Sequence, residues 1–254
     1  MERILRFNLE EIFFMNESFL KVLNDFVDEY NQKIYPIPKI QEYKLIKDDK
    51  MAGYFKALDL YNQQYILNLN EIFLENDKQY LKSLFFHELT HLYDSGNLRQ
   101  YELQKYLYIM QIYSEVHASE IEMDVLLDGI KDINVDSLIN HYNVPIDTFI
   151  AVYLNKTNNE FILPDGPILK GQLKFDHKNL YYFIGYVRSL KKHDIECEFE
   201  YSKKIPSELL DIFNKITYYY LNNEDIDYET LHSYQKEILK TTQKILKEHQ
   251  EQYN

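Results

Sequence analysis

Residues 86–91 are the segment of this chain whose residue types and spacing best suit metal binding and catalysis. They read Phe-His-Glu-Leu-Thr-His, so His87 and His91 stand four residues apart, with Glu88 next to the first histidine. On a helix, side chains four residues apart project from one face about one turn apart. This spacing lets two neutral imidazole nitrogens reach one zinc ion at about 2.0–2.1 Å. The sequence therefore predicts a zinc site in which His87 and His91 are two of the ligands.

Glu88 lies where its carboxylate can approach such a metal without being a ligand. In that position it can act as a general base and take the proton from zinc-bound water, whose pKa the metal lowers towards about 7. A purely structural metal site needs no base beside it. Glu88 therefore favours hydrolysis. The simpler alternative is an amphipathic helix whose histidines are only solvated.

A catalytic zinc site needs a third protein ligand and an open fourth position. The downstream candidates lie on a second helix, predicted without interruption over 98–127. Its predicted apolar stripe consists of Leu103, Leu107, Met110, Ser114, Ile121 and Val125. Relative to that stripe, Glu115 lies on one flank with Ala118, and His117 lies about 200° around the helix from Glu115. We therefore predict that Glu115 is the third ligand, and that His117 and Glu120 are solvated or rim residues.

Two further carboxylates each have two open interpretations. Asp94 lies near one turn beyond His91. It could accept a hydrogen bond from the second nitrogen of a ligand imidazole, or it could mark the end of its helix together with Gly96. Glu122 could be an acceptor near the metal or a surface charge.

The elements that must position these residues can be read from periodicity and turn signals. A helix is predicted over 9–32, a strand over 39–47 and a hairpin over 53–70. Asp77 is the predicted N-cap of a helix that runs to about Asp94, where 95–97 supply the stop. Further helices are predicted near 135–141, 145–156, 177–193, 206–222 and 226–250.

The order of these features resembles the gluzincin-type zincin metallopeptidases. The features are a strand over 65–70, a helix with the HELTH segment, and a helix with Glu115 and Ala118 as Glu-x-x-Ala. The layout is most similar to the ImmA/IrrE-like peptidases of phage and mobile-element regulation, and the resemblance covers about residues 50–128. Thr90 stands where those peptidases usually have Gly or Ala.

The resemblance implies a zinc-dependent endopeptidase, with His87, His91 and Glu115 as ligands and Glu88 as the general base. We expect a zincin-like domain over 1–134 and a helical C-terminal region over 135–254, packed on the first. The expected fold class is α+β, mostly α, with a small antiparallel-edged sheet packed on a zincin-type helix pair. Only six glycines and six prolines occur in 254 residues, which favours long helices with few breaks.

Composition also excludes several classes of partner. The formal net charge is −13, whereas a nucleic-acid binder needs basic patches. Cys197 is the only cysteine, so there is neither a disulfide framework nor a cysteine-rich zinc knuckle. No run of about 18 apolar residues suggests a membrane span, and the first residues lack the features of a signal peptide. A cytoplasmic location is expected.

Three functions remain open. The first is a zinc metallopeptidase that cleaves an intracellular protein substrate, whose extended backbone would pair with an edge strand at 65–70. The second is a non-catalytic regulatory or interaction protein with a structural or idle metal site. The third is another metal-assisted hydrolysis. A peptidase also needs a donor that stabilises the oxyanion, and the sequence does not choose among Tyr113, His141, Tyr142 and Tyr153.

Overall fold

A computed structural model describes residues 17–47, 53–71, 77–164, 166 and 177–253. Packing divides the chain into two compact units, with the division after Gly96. The domain boundary predicted from the sequence, after residue 134, stays a prediction, because the packing of a unit does not test whether it folds alone.

In its described residues, the first unit contains two helices and a three-stranded mixed sheet. Its elements are α1 (Glu17–Lys33), β1 (Ile40–Ile46), β2 (Gly53–Asp59), β3 (Gln64–Asn70) and α2 (Lys78–Leu98), of which the last crosses the division. The strand order is β1-β3-β2, with β1 parallel and β2 antiparallel to β3. The predicted strand and hairpin are confirmed. Of the helix predicted over 9–32, the part before residue 17 lies outside the described residues.

Strand β3 is the centre of this sheet, and it is buried on both faces. Tyr65, Leu67 and Leu69 are fully buried, and Asn68 and Asn70 are only 6% and 7% exposed. Because β3 pairs with β1 on one side and β2 on the other, it offers no edge. The prediction that a substrate pairs with this strand is therefore wrong. Within the described residues, β2 pairs with β3 alone and is an edge strand.

Helix α2 begins as predicted and ends later. The main-chain N–H of Tyr80 donates to Asp77 Oδ1 over 2.9 Å, which is the expected N-cap bond. The predicted stop at 95–97 is wrong, since α2 continues to Leu98. Ser95 and Leu98 are both fully buried, so tertiary packing outweighs the local signal of Gly96.

The second unit is almost entirely helical. Its elements are α3 (Leu103–Ile109), a π-helical turn (Met110–Ser114), α4 (Glu115–Leu127), β4 (Leu138–Ile139), β5 (Val144–Pro145), α5 (Ile146–Glu160), α6 (Lys178–Lys192), α7 (Ser207–Asn222) and α8 (Tyr228–Glu251). Helix α6 packs against α4, α5 and α7, while α8 packs against α3, the π turn and α7. The predicted fold class, α+β and mostly α, is confirmed.

Two sequence predictions for this unit are wrong. The helix predicted over 98–127 begins at Leu103 and contains a π turn. The helix predicted near 135–141 is a short hairpin, β4–β5, whose turn places Asn143 at φ 49° with its N–H donating to Ile139 O over 2.8 Å. Asparagine tolerates this left-handed conformation, which ends any helical continuation. The four remaining helices are confirmed, with bounds that differ by a few residues.

Among the helices of the described residues, none is both long and apolar enough to cross a membrane.

Candidate metal centre

Helix α2 is held by aromatic contacts and a buried hydrogen bond to α1. The Tyr30 ring meets Phe86 edge-on at 5.1 Å between centroids, and the Phe26 ring lies 6.0 Å from that of Phe85. The Thr90 hydroxyl donates to Phe86 O over 2.8 Å, so it accepts from the Tyr30 hydroxyl, 2.9 Å away. Burial raises the pKa of Tyr30, which therefore stays a donor.

The three-stranded sheet also contacts α2, through β3 and β2. The Tyr65 hydroxyl on β3 lies 3.1 Å from the Ser95 hydroxyl, and both residues are fully buried. The Phe55 ring on β2 lies 6.3 Å from the His91 ring. These contacts flank the histidines on the same helix, so the rotation of α2 about its axis is determined within this unit.

The histidine pair is the most closely spaced part of the site. His87 Nε2 and His91 Nε2 lie 3.1 Å apart, with the rings nearly perpendicular, and the two residues are 5% and 9% exposed. At this distance one ring nitrogen donates to the other, and the tautomer decides which. Two nitrogens bound to one tetrahedral zinc ion at about 2.0–2.1 Å would lie about 3.3 Å apart. The pair therefore fits a shared ion with little change.

Glu88 is half-buried on α2 beside the start of β2. A Cβ built on Gly53 would lie 3.5 Å from Glu88 Cγ and 3.1 Å from Asn68 O. The small residue at position 53 therefore lets the backbone of the edge strand pass close to this carboxylate. Nothing in the sequence pattern of the hairpin predicts that contact.

Glu115 is the first residue of α4, directly after the π turn. Its side chain is 18% exposed, and Oε1 lies 3.4 Å from Lys178 Nζ at the start of α6. The two histidines belong to the first unit and Glu115 to the second, so the role of Glu115 as their third ligand stays a prediction. Two imidazoles and one carboxylate are a donor set that zinc binds in catalytic sites.

Sequence reasoning missed Lys178. A residue 63 positions away leaves no local signal, and only the packing of α6 against α4 brings it to Glu115. Its ammonium group pairs with the carboxylate of Glu115 and is partly exposed.

His117 and Glu120 are buried, so the prediction that they are solvated or rim residues is wrong. They are 9% and 3% exposed, because α4 is covered around almost its whole circumference. Glu120 pairs with Arg188 Nε at 3.2 Å and with Lys192. The upstream end of the predicted stripe is also wrong, since Leu103 and Leu107 are 68% and 53% exposed. A π turn adds one residue, which rotates the upstream face by about 100°.

The two carboxylates left open differ in their surroundings. Glu122 is 4% exposed and accepts a hydrogen bond from the Tyr186 hydroxyl over 3.1 Å, so it is not a surface charge. Burial, and then the charge of Glu122, raises the pKa of Tyr186 well above its ordinary value. Asp94 is 1% exposed and lies inside α2, so it does not end the helix. Its bond to a ligand imidazole stays a prediction.

The four candidates for oxyanion stabilisation lie in aromatic clusters of the second unit. Tyr113 packs 5.4 Å from the His117 ring and 5.0 Å from that of Tyr228. The others lie around Phe149 on α5: Tyr142 and Tyr153 contact its ring directly, and His141 contacts Tyr142. These contacts give each ring a packing role, and none of them selects one of the four residues as the oxyanion donor.

Comparisons with protein-family models, with curated protein sequences and with solved structures return no match to this chain. The function of the site must therefore be inferred from its own residues and geometry.

Proposed function

We propose that this protein is a zinc-dependent metallopeptidase. The observation that carries the proposal is the 3.1 Å separation of His87 Nε2 and His91 Nε2 on a buried face of α2, with Glu88 next in the chain to His87. Both histidines are buried, which speaks against histidines that are only solvated, and their Nε2 atoms lie near the separation that one shared zinc ion would give them. The carboxylate of Glu88 belongs to the same turn of α2 as His87.

The residues present fit the metal. His87, His91 and Glu115 would hold it, because two imidazoles and one carboxylate are a donor set that zinc binds in catalytic sites. When bound, zinc supplies Lewis-acid chemistry, since it polarises a peptide carbonyl and lowers the pKa of a coordinated water. The remaining chemistry belongs to side chains and backbone of this protein.

Glu88 is the proton carrier of the proposed reaction. Its carboxylate accepts a proton from the attacking water and then delivers that proton to the amine nitrogen as the peptide bond breaks. This role requires no change in the charge of the two imidazoles.

The edge strand β2 would bind the substrate backbone. Gly53 on β2 lies next to Glu88, and the Phe55 ring lies 6.3 Å from that of His91. A peptide in extended conformation could add to this edge by main-chain hydrogen bonds, which would place it beside both residues. We propose an intracellular protein or peptide as the substrate and the cytoplasm as its location; the −13 net charge speaks against nucleic acid.

The test separates metal binding from hydrolysis. Wild-type protein should carry one zinc per chain by elemental analysis and should cleave a denatured protein or an unbiased peptide library. His87→Ala and His91→Ala should lose zinc and hydrolysis together. Glu88→Gln should keep zinc and lose hydrolysis, because it removes the base and keeps the shape. His232→Ala, a histidine on α8, is the matched control and should change neither.

Two results would contradict the proposal. If carefully purified wild-type protein carries no zinc and takes up no added zinc, the proposed metal site is wrong. Full hydrolysis by Glu88→Gln would remove the mechanism. Zinc binding with no cleavage by the wild type would instead favour a regulatory protein with a structural or idle site.

A further inference from the structure

The residues immediately before Glu115 form a π-helical turn, Met110–Ser114. A π turn adds one residue to an α-helix and changes the face on which every later residue stands. Its hydrogen bonds run from residue i to residue i+5, and side chains from other helices can add further bonds to its polar groups. The question is which residues supply those bonds.

One partner comes from α7. The Tyr220 hydroxyl donates to the main-chain oxygen of Ile112, in the middle of the π turn, over 3.1 Å. Tyr220 is 1% exposed and Ile112 is fully buried, so water does not readily replace this hydroxyl. The hydroxyl therefore supplies a hydrogen bond to a carbonyl that is buried away from water.

A second partner comes from α8. Gln235 Nε2 donates to Gln111 Oε1 over 2.9 Å, and Gln235 in turn accepts from the hydroxyl of Tyr181 on α6. Gln235 and Tyr181 are both fully buried. Three helices of the C-terminal region thus contribute side chains to the bonds at, or next to, the π turn.

We propose that Tyr220 and Gln235 are positioning residues for Glu115. They hold the π turn, and the π turn sets the face of α4 on which Glu115 stands. If the turn relaxed to regular α-helix, one residue would have to leave it, and the direction of Glu115 relative to α3 would change by about 100°. The proposal rests on the proposed function, because it concerns a ligand of that zinc site.

The test uses full-length Tyr220→Phe, which removes only the hydroxyl. The matched control is Tyr201→Phe, because Tyr201 is also buried. Its hydroxyl lies 2.8 Å from that of Thr217, which is on α7 like Tyr220, and this bond does not involve the π turn. Zinc affinity is measured by competition with a chelating dye. Amide hydrogen exchange of residues 110–116 is measured on the metal-free protein, and thermal stability on both variants.

We expect Tyr220→Phe to weaken zinc binding by about tenfold, as loss of residues that support metal ligands typically does, and to speed amide exchange over 110–116. Tyr201→Phe should lower the melting temperature by a similar amount and leave zinc affinity within about twofold of wild type. Gln235→Leu should act in the same direction as Tyr220→Phe.

Equal zinc affinities for Tyr220→Phe and Tyr201→Phe would overturn the proposal, since the hydroxyl would then be only structural. Unchanged amide exchange over 110–116 in Tyr220→Phe would also overturn it. A wild-type protein that binds no zinc would instead remove the proposed function, and with it the metal ligand that these residues are proposed to position.

Discussion

Gly185 on α6 lies against the main-chain carbonyl of Val116 on α4, at a distance that leaves no room for a side chain. A Cβ built on Gly185 would collide with Val116 O and would lie 2.7 Å from Ser119 Cβ. Val116 directly follows Glu115, so the crossing of these two helices determines where the first turn of α4 lies.

This contact makes Gly185→Ala a sensitive test of the α4–α6 crossing. We expect it to destabilise the protein by about 1–3 kcal/mol, because the backbone atoms that it meets cannot rotate away. Chemical denaturation monitored by circular dichroism would measure the change. Gly166→Ala is the control, since no atom of the residues that the structure describes lies within 4 Å of a Cβ built there. Equal stabilities of the two variants would show that α4 and α6 are further apart than the structure places them.

Tyr30→Phe tests how α1 holds the helix of the two histidines. The variant removes the donor to Thr90 and keeps the ring against Phe86. We expect a loss of about 1 kcal/mol in the free energy of unfolding, the typical contribution of one buried hydrogen bond. Tyr61→Phe, at a residue that is 83% exposed, should have no measurable effect. A Tyr30→Phe protein as stable as wild type would contradict this hydrogen bond.

Glu120→Ala tests the buried ion pairs between α4 and α6. Its carboxylate is 4% exposed and pairs with Arg188, whose side chain is 16% exposed. We expect a loss of about 2–3 kcal/mol, because the variant leaves a mostly buried guanidinium without its partner. Glu200→Ala is the control, since Glu200 pairs with Lys203 in full contact with solvent and should contribute little. A loss no larger than that of the control would show that the Glu120 pairs are solvated.

Asp227 at the start of α8 gives a pH-dependent test. Hydrogen bonds from the Thr230 hydroxyl and from the main-chain N–H groups of Thr230 and Glu229 hold the pKa of Asp227 below its ordinary value of 3.8. A carboxylate whose pKa is lowered by folding stabilises the fold above its unfolded pKa, and this contribution is lost as the pH falls through the folded pKa. Asp227→Ala should therefore lower the melting temperature at pH 7.

The pH series decides whether the charge of Asp227 is the cause. The difference in melting temperature between wild type and Asp227→Ala should shrink steadily once the pH falls below about 4. Asp227→Asn keeps an acceptor without a charge, so it should retain part of the stability at pH 7. A difference that stays constant down to pH 2 would contradict this explanation.

Much of the local structure could be predicted from the sequence, because local rules decide it. The Asp77 cap, the hairpin that ends in β3 and most helices of the second unit follow from capping chemistry and periodicity. The facing of His87 and His91 also follows, since residues four apart on one helix are neighbours wherever that helix lies. The position of Glu88 near the histidines follows in the same way, because it is the next residue after His87.

Tertiary structure decided the features that depend on partners far along the chain. Ser95 and Gly96 continue α2 because the helix end is buried, against their local preference. Glu120 is an internal charge because Arg188 and Lys192 on α6 cover it. The sequence by itself determined which residues could bind a metal. The face of Glu115 depends on a π turn to which Tyr220 donates from more than a hundred residues away, and no local pattern encodes such a bond.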